Sequence, residues 1–475
     1  MAISEIAKPF TISPAFNPLR YIYDSTNKSK EGFKYIFDIY EAGTSNKIAE
    51  RKVSPEFSTG YGNQQLSKLL DEFVSGDFNP TNNTTFDAQN CYYRYDVKIG
   101  EEFVSPVAYT AALLQNGSFV KITATHSFDV GDAVVIKQND GGAANPNLEG
   151  LFVVTAVTGT TDFTVNSFWS DVTDANINGN VRFSDNRKTI TRDLETVSGA
   201  LVFNGAFSFV DWSNYDSADY IPSASTSKLL TSLPFEFTAY EDQDIWVNTL
   251  TNQLPSLFME FKNSTNDVFR KAFDGSAYIN QTMVSGSGLQ SGLSLVAGSG
   301  DLIEDDVEYY EFYIVNIFGT IQSETRRINV DRRCKINEYQ LVFRDRLGSM
   351  LSMAFTLHDA QKGSVMRKTY NQEVVGSTNG EPTRWGYESH ERGMTSIDVT
   401  QKETLTLRSD YIKTQPELDL FRELVTSPDV FIEIDGVWQA VIVSTNSYDI
   451  PRLRQKRLQR FDINIMIANQ DRING

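Results

Sequence analysis

Asp174, Asn176 and Asn178, followed by Gly179 and by Asp185 at the twelfth place, have the spacing best suited to a metal in this chain. Oxygen ligands at alternate positions around a glycine turn can wrap a hard cation such as calcium. The loop departs from the EF-hand pattern at its last place, where Asp185 stands instead of Glu and is too short to reach as a bidentate ligand. No helical pattern flanks it. The plainer reading is a polar turn ahead of a strand over 180–183, and no metal or other cofactor is expected.

The chain has 3 histidines, little material for imidazole catalysis or a histidine-rich metal site. His390-Glu391 lacks the second histidine of a zinc-protease helix, and His126 and His358 have no Cys or His companion in sequence. No nucleophile elbow, phosphate-binding loop or dinucleotide loop occurs. Asp305-Asp306 and Glu101-Glu102 are residue types a glycosidase uses, but among 61 acids such neighbours arise by chance. The expectation is a protein that is not an enzyme.

Two basic clusters interrupt the acidic chain. One comprises Arg326, Arg327, Arg332, Arg333 and Lys335, the other Arg452, Arg454, Lys456, Arg457 and Arg460. A nucleic-acid surface would need a basic domain with interleaved aromatic residues, and neither is present. Two readings remain: a solvated strand face, or a surface complementary to an acidic neighbouring subunit. The second is favoured, with Arg326, Arg327, Arg332, Arg333, Arg452, Arg454, Lys456 and Arg457 as interface candidates.

The chain as a whole has 475 residues and a formal net charge of −18. That length allows several domains with ample core. The charge argues against non-specific binding to DNA or anionic membranes. Two cysteines, Cys91 and Cys334, are too few for a disulfide framework. No basic stretch followed by an apolar run opens the chain, and no apolar run reaches the length of a membrane span, so neither a signal peptide nor a span is expected. Phe and Tyr number 31 and 21, as all-β proteins favour.

The element that organises the rest is a hairpin over 336–358. Tyr339, Leu341 and Phe343 alternate going out; Leu351, Met353, Phe355 and Leu357 alternate coming back; Asp345-Arg346-Leu347-Gly348 offers the turn. Strict alternation predicts one buried face and one face open to solvent or to a partner. Further strands are predicted over 20–23, 34–40, 92–99, 235–240, 259–261, 309–315, 403–408, 431–434, 437–444 and 461–467. Asn204-Gly205 and Asp435-Gly436 read as tight hairpin turns. Two helices are predicted, over 63–75 and about 415–427, the second with Thr414 and Glu417 as a capping box. Residues 360–400, polar and rich in glycine, read as a long loop that orders against a neighbour.

The expected fold class is all-β, with several β-sandwich or β-barrel domains. Residues 1–106 with 187–330 form a discontinuous N-terminal region. Residues 107–186, where Gly, Asn, Asp, Thr and Val dominate, form an inserted small β-module. Residues 331–475 form a C-terminal sandwich.

Several of these segments resemble tail proteins of phages that infect Bacteroidetes-type hosts. Tyr339-Gln-Leu-Val-Phe-Arg-Asp-Arg-Leu-Gly-Ser followed by Met353-Ala-Phe-Thr is similar to a strand, an Asn-Arg-Leu-Gly-Gly-like turn and a returning strand in that group. Arg367-Lys368-Thr369-Tyr370 and Thr426-Ser427-Pro428-Asp429-Val430 follow in the same order, and Asn17-Pro18 and Ile99-Gly100-Glu101-Glu102 precede it. Gly131-Asp132-x-Val134-x-Ile136, Gly150-x-Phe152-x-Val154 and Phe163-Thr164-Val165 resemble a small β-module of phage tail and fibre proteins. The resemblance implies a structural component of the virion, at the baseplate, distal tail or tail ring, assembled in the host cytoplasm as a homo-oligomeric ring that contacts other tail proteins. The alternative is a tail protein that recognises a host receptor or surface carbohydrate, using Trp169, Trp212, Trp246, Trp385 or Trp438 on an exposed face.

Overall fold

The computed structural model describes residues 3–80, 85–104, 107–115, 119–138, 149–166, 179–183, 188–254, 256–285, 293–333, 339–373, 377–379, 384–386, 393–412, 414–445, 460–468 and 472–473. The fold is all-β. Three short α-helices, Ser67–Leu70, Phe209–Ser213 and Gln415–Thr426, interrupt the strands of the described residues. None is long and apolar enough to cross a membrane. The chain divides into two compact units.

The first unit comprises Met1–Thr11, Pro18–Leu66 and Arg94–Leu201. Ile3–Ala7, Arg20–Ser25 and Gly62–Gln65 form a small sheet in that order. Lys188–Phe203, Tyr92–Val104, Lys34–Glu41 and Lys47–Val53 lie side by side in a second sheet. Gly100 is required there, because a Cβ would stand 2.4 Å from the carbonyl of Thr191. A third sheet draws all seven of its strands from residues 107–183. It closes over its own apolar cluster, including Val120, Ile122, Val134, Ile136, Phe163 and Val165. Their period-two spacing on short β-branched strands puts each on the inner face.

The second unit comprises Ile12–Asn17, Ser67–Tyr93 and Val202–Gly475. One sheet runs in the order Glu236–Tyr240, Arg326–Asp331, Tyr309–Asn316, Leu257–Asn263, Val268–Ala272, Ser294–Ala297, its first pair being parallel. Another runs Met350–Phe355, Tyr339–Arg344, Val430–Ile434, Val437–Val443, Asp462–Ile467, Met394–Arg408, His358–Asn371. One continuous core joins them, from Leu229 and Phe237 through Phe312 to Ile465.

The organising hairpin is present, with Tyr339 opposite Phe355 and Arg344 opposite Met350. Its expected open face is closed. Leu341, Phe343, Leu351, Met353 and Phe355 enter the main core. Val342 and Met350, on the other face, enter a second cluster with Trp246 and Met283. Gln340 and Ser352 of that second face read as solvent-facing in sequence but are buried. Gln340 Nε2 donates to the carbonyl of Asp244 at 2.8 Å and Ser352 Oγ donates to the same carbonyl at 2.6 Å. Hydrogen bonds to an irregular backbone segment offset the desolvation cost of these polar residues.

Three further expectations change. Gly62–Gln65 is a strand against Arg20–Ser25, and the helix shrinks to the turn Ser67–Leu70 with a 3-10 turn over Asp71–Phe73. Asn204-Gly205 forms no hairpin: the carbonyls of Phe203 and Gly205 accept from Ala15 and Phe16, and the Ala206 N–H donates to Arg346. The 360–400 stretch contains a long antiparallel ribbon, His358–Asn371 with Met394–Arg408, rather than a loop. Asp435-Gly436 is the tight turn expected, both residues at positive φ and Ile434 opposite Val437. Helix Gln415–Thr426 carries both hydrogen bonds of the Thr414–Glu417 capping box.

Candidate functional site

The turn Asp345–Ser349 gathers polar contacts from several segments of the second unit. Asp345 Oδ1 accepts from the backbone N–H of Leu347 at 2.9 Å and of Ser349 at 2.7 Å, which closes the turn. Gly348 takes φ +85°, and a Cβ on it would meet the Asn204 carbonyl at 1.9 Å. Its own carbonyl accepts from Asn248 Nδ2 at 3.1 Å. Leu347 is buried, and Arg346 reaches Glu423 at 3.2 Å and Asp211 at 3.4 Å. The turn motif read in the sequence therefore has a physical content. Its acid ties the loop, its arginine and leucine dock it, and its glycine permits the close approach.

This turn also brings together a pair of acids that no sequence spacing announces. Asp345, from the hairpin, and Glu423, from helix Gln415–Thr426, both reach Ser232. They line a cavity of about 280 Å³ with Arg344, Arg346, Asn204 and Pro428. Burial, then the proximity of Glu423, raises the Asp345 carboxyl above its ordinary range. Burial also raises Glu423. Paired carboxyls are what a glycosidase uses, but both oxygens of Asp345 are already engaged by N–H and O–H donors of the fold, so Asp345 has no free position for a substrate.

A second cavity, of about 310 Å³, is lined by Tyr240, Gln243, Asp331, Arg333, Asp410 and Glu417 among others. Arg333 bridges Asp331 and Asp410, the latter at 2.8 Å. Burial raises the Asp410 carboxyl, and the Tyr411 N–H with the Arg333 guanidinium outweighs it, leaving Asp410 below its ordinary range.

Arg333 belongs to the first basic cluster, and the structure gives all four described arginines of that cluster partners in their own chain. Arg326 is buried, pairs with Glu324, donates to the Leu233 carbonyl at 2.5 Å and lies over the Phe235 ring. Arg327 pairs with Glu311 and covers Tyr309. Arg332 pairs with Glu241 at 3.1 Å and donates to the carbonyls of Val307 and Glu304. Arg327 and Arg333 remain the most exposed, with 42% and 59% of their side chains accessible. Arg452, Arg454, Lys456 and Arg457 lie outside the described residues, and so do Asp174, Asn176, Asn178 and Asp185. Among the described residues, no cluster of three or more His, Cys, Asp or Glu side chains is placed to hold a metal.

The remaining candidates separate. Glu101 and Glu102, adjacent on one strand, are buried with different partners: Glu101 accepts from Ser25 and Asn27, and Glu102 pairs with Lys52. Asp305 and Asp306 are exposed on a loop. His126 is a core residue, its ring against Phe128 and Phe163 and its Nδ1 accepting from the Phe128 N–H at 3.0 Å. His390, Glu391 and Trp169 lie outside the described residues. Trp246 and Trp438 pack edge-to-face and both touch Phe78; Trp246 is fully buried, which removes it from a glycan-binding face, and Trp438 is half-buried. Trp212 is half-buried against Tyr215. Lys271, which sequence reading passed over, is buried with no hydrogen-bond partner, and burial lowers its pKa to about 8.

No protein-family model matches the chain, and no curated protein sequence matches it. Among solved structures, the chain aligns with the phage phi92 endosialidase at 10% identity, covering 99% of this chain and 69% of that one, with a TM-score of 0.17. It aligns with the native conformation of E. coli alpha-2-macroglobulin at 8% identity, covering 100% of this chain and 34% of that one, with a TM-score of 0.15. Scores of this size describe no shared fold.

Proposed function

We propose that this chain is a structural component of a phage tail, at the baseplate, distal tail or tail ring, which assembles with copies of itself into a ring and joins neighbouring tail proteins. Its role is contact rather than catalysis, with no nucleic acid bound. The order of motifs along the sequence supports the phage reading. The observation that carries the assembly reading is the ribbon His358–Asn371/Met394–Arg408. Residues 360–373 are exposed without interruption, including Val365, Met366 and Tyr370, and Met394 and Ile397 on the return strand are exposed as well. A two-stranded ribbon that shows apolar side chains to water gains stability only when another surface covers it. His358–Asn371 is also the last strand of its sheet, with a backbone edge that a further strand can pair with. Of the described residues in the first basic cluster, Arg327 and Arg333 are the most exposed to a neighbour.

Cross-linking tests this reading. Met366→Cys treated with a short bismaleimide, beside the unsubstituted chain as control, is expected to give chain-to-chain adducts in the assembled protein. Labelled chains that stay single at every concentration and with tail partners present, while binding or cleaving host glycan, would move the assignment to the receptor-recognition alternative.

A further inference from the structure

Ser232 Oγ stands 3.1 Å from Asp345 Oδ2 and 2.5 Å from Glu423 Oε2. A hydroxyl has one proton to donate. If it donates to one carboxylate, the second contact is a hydrogen bond only when the other carboxyl carries a proton and donates to Oγ. The surrounding donors decide which one does. Asp345 Oδ1 accepts from the N–H of Leu347 and Ser349, and Oδ2 accepts from the N–H of Ser232 at 2.7 Å. With Ser232 Oγ added, the acceptor positions of Asp345 are occupied by donors, as suits an ionised carboxylate. Glu423 receives Arg346 Nε at 3.2 Å on Oε1 and the Arg346 N–H at 3.4 Å on Oε2, which leaves Oε2 able to hold the proton.

We propose that Asp345, Ser232 and Glu423 form a proton-dependent latch: one proton on Glu423 completes the chain Glu423–Ser232–Asp345 and fastens helix Gln415–Thr426 and the 229–233 segment to the hairpin turn. Loss of that proton leaves two buried anions facing one hydroxyl. The latch goes beyond the assembly reading and does not depend on it.

The other charged groups that face the site are few. On the hairpin they are Arg346, and Arg344, which is engaged with Asp429 at 3.2 Å. On the helix it is Asp419, held by Arg422 at 2.6 Å. From helix Phe209–Ser213 it is Asp211, on Arg346. The 229–233 segment brings Thr231 and Ser232 and no ionisable side chain. One arginine shared with Asp211 does not neutralise two carboxylates. Burial therefore raises both acids, with the charge of Glu423 adding to it at Asp345 and that of Asp419 at Glu423.

The sign follows from linkage. The folded state holds a proton that the unfolded chain releases in the ordinary carboxylate range. Stability from the latch is present at low pH and is lost as pH rises through the raised folded-state titration of Glu423. The test is denaturant unfolding of the full chain and of Glu423→Gln between pH 5 and 8.5. The glutamine amide donates to Ser232 Oγ without titrating. Above about pH 5 and below the folded-state titration of Glu423, the ratio of the wild-type to the variant unfolding constant is expected to rise about tenfold per pH unit, the effect of one proton. A ratio independent of pH would overturn the latch. If Glu423→Gln does not fold, hydrogen exchange of wild-type helix 415–426, corrected for intrinsic rate, decides instead. Protection lost selectively in that helix between pH 6 and 8 supports the latch, and unchanged protection refutes it.

Discussion

At the scale of single residues, Gly348 shows how a side chain's absence can fix a fold. Its φ of +85° is one that other residues rarely take, and the Asn204 carbonyl occupies the space of a Cβ. Neither feature relaxes by rotating a side chain, since both are backbone. Gly348→Ala is therefore expected to destabilise the protein by about 1–3 kcal/mol, read as a lower urea midpoint with an unchanged slope. An unchanged midpoint would mean that the turn is not docked as described. The glycine was legible in the sequence as a turn residue. The Asn204 carbonyl was not, because it arrives from a segment whose Asn-Gly pair reads locally as a turn of its own. The acid pair was hidden for a related reason. Asp345 and Glu423 come from different elements with no shared period, and Asp345 reads as an ordinary turn acid until helix Gln415–Thr426 is laid beside it. The arginines show the reverse. Their cluster is plain in the sequence, and their acidic partners, Glu311, Glu241 and Asp410, are scattered along it.

At the scale of elements, alternation and capping carried most of the information. The hairpin, the Asp435-Gly436 turn and the capped helix appear where their residues place them, because each is specified by its own local sequence. What alternation does not report is whether the polar face is wet. The second face of the hairpin is closed by the segment Gln243–Leu250, and its polar residues are satisfied by that backbone. Phe355 is 2% exposed in the main core. Phe355→Ala is expected to cost about 3–5 kcal/mol, and a thermal melt unmoved by it would contradict the hairpin's place in that core. The ribbon was misread for a similar reason. Its outgoing strand carries Gly, Ser, Lys and Thr beside isolated apolar residues, and residues 360–373 have no buried face. A strand stretch that buries nothing within its own chain leaves no period in the sequence, whereas the end of the return strand, where Leu405 and Leu407 reach the main core, alternates and reads as a strand.

At the scale of the whole molecule, the two units are built for different ends. The first holds a seven-stranded sheet with a core of its own. The second pairs the hairpin's Arg344 and Arg346 with Asp429, Glu423 and Asp211, and leaves an exposed ribbon with apolar side chains in solvent. Ordering an exposed arm against another surface gains buried area at an entropic cost, and a closed ring repeats that gain at every interface. The central claim is assembly, and the mass in solution tests it most directly. Light scattering of the purified protein, alone and mixed with neighbouring tail proteins, is expected to show a discrete multiple of the 53.4 kDa chain in at least one of these states. A mass of one chain at every concentration, unmoved by the partners, would contradict it.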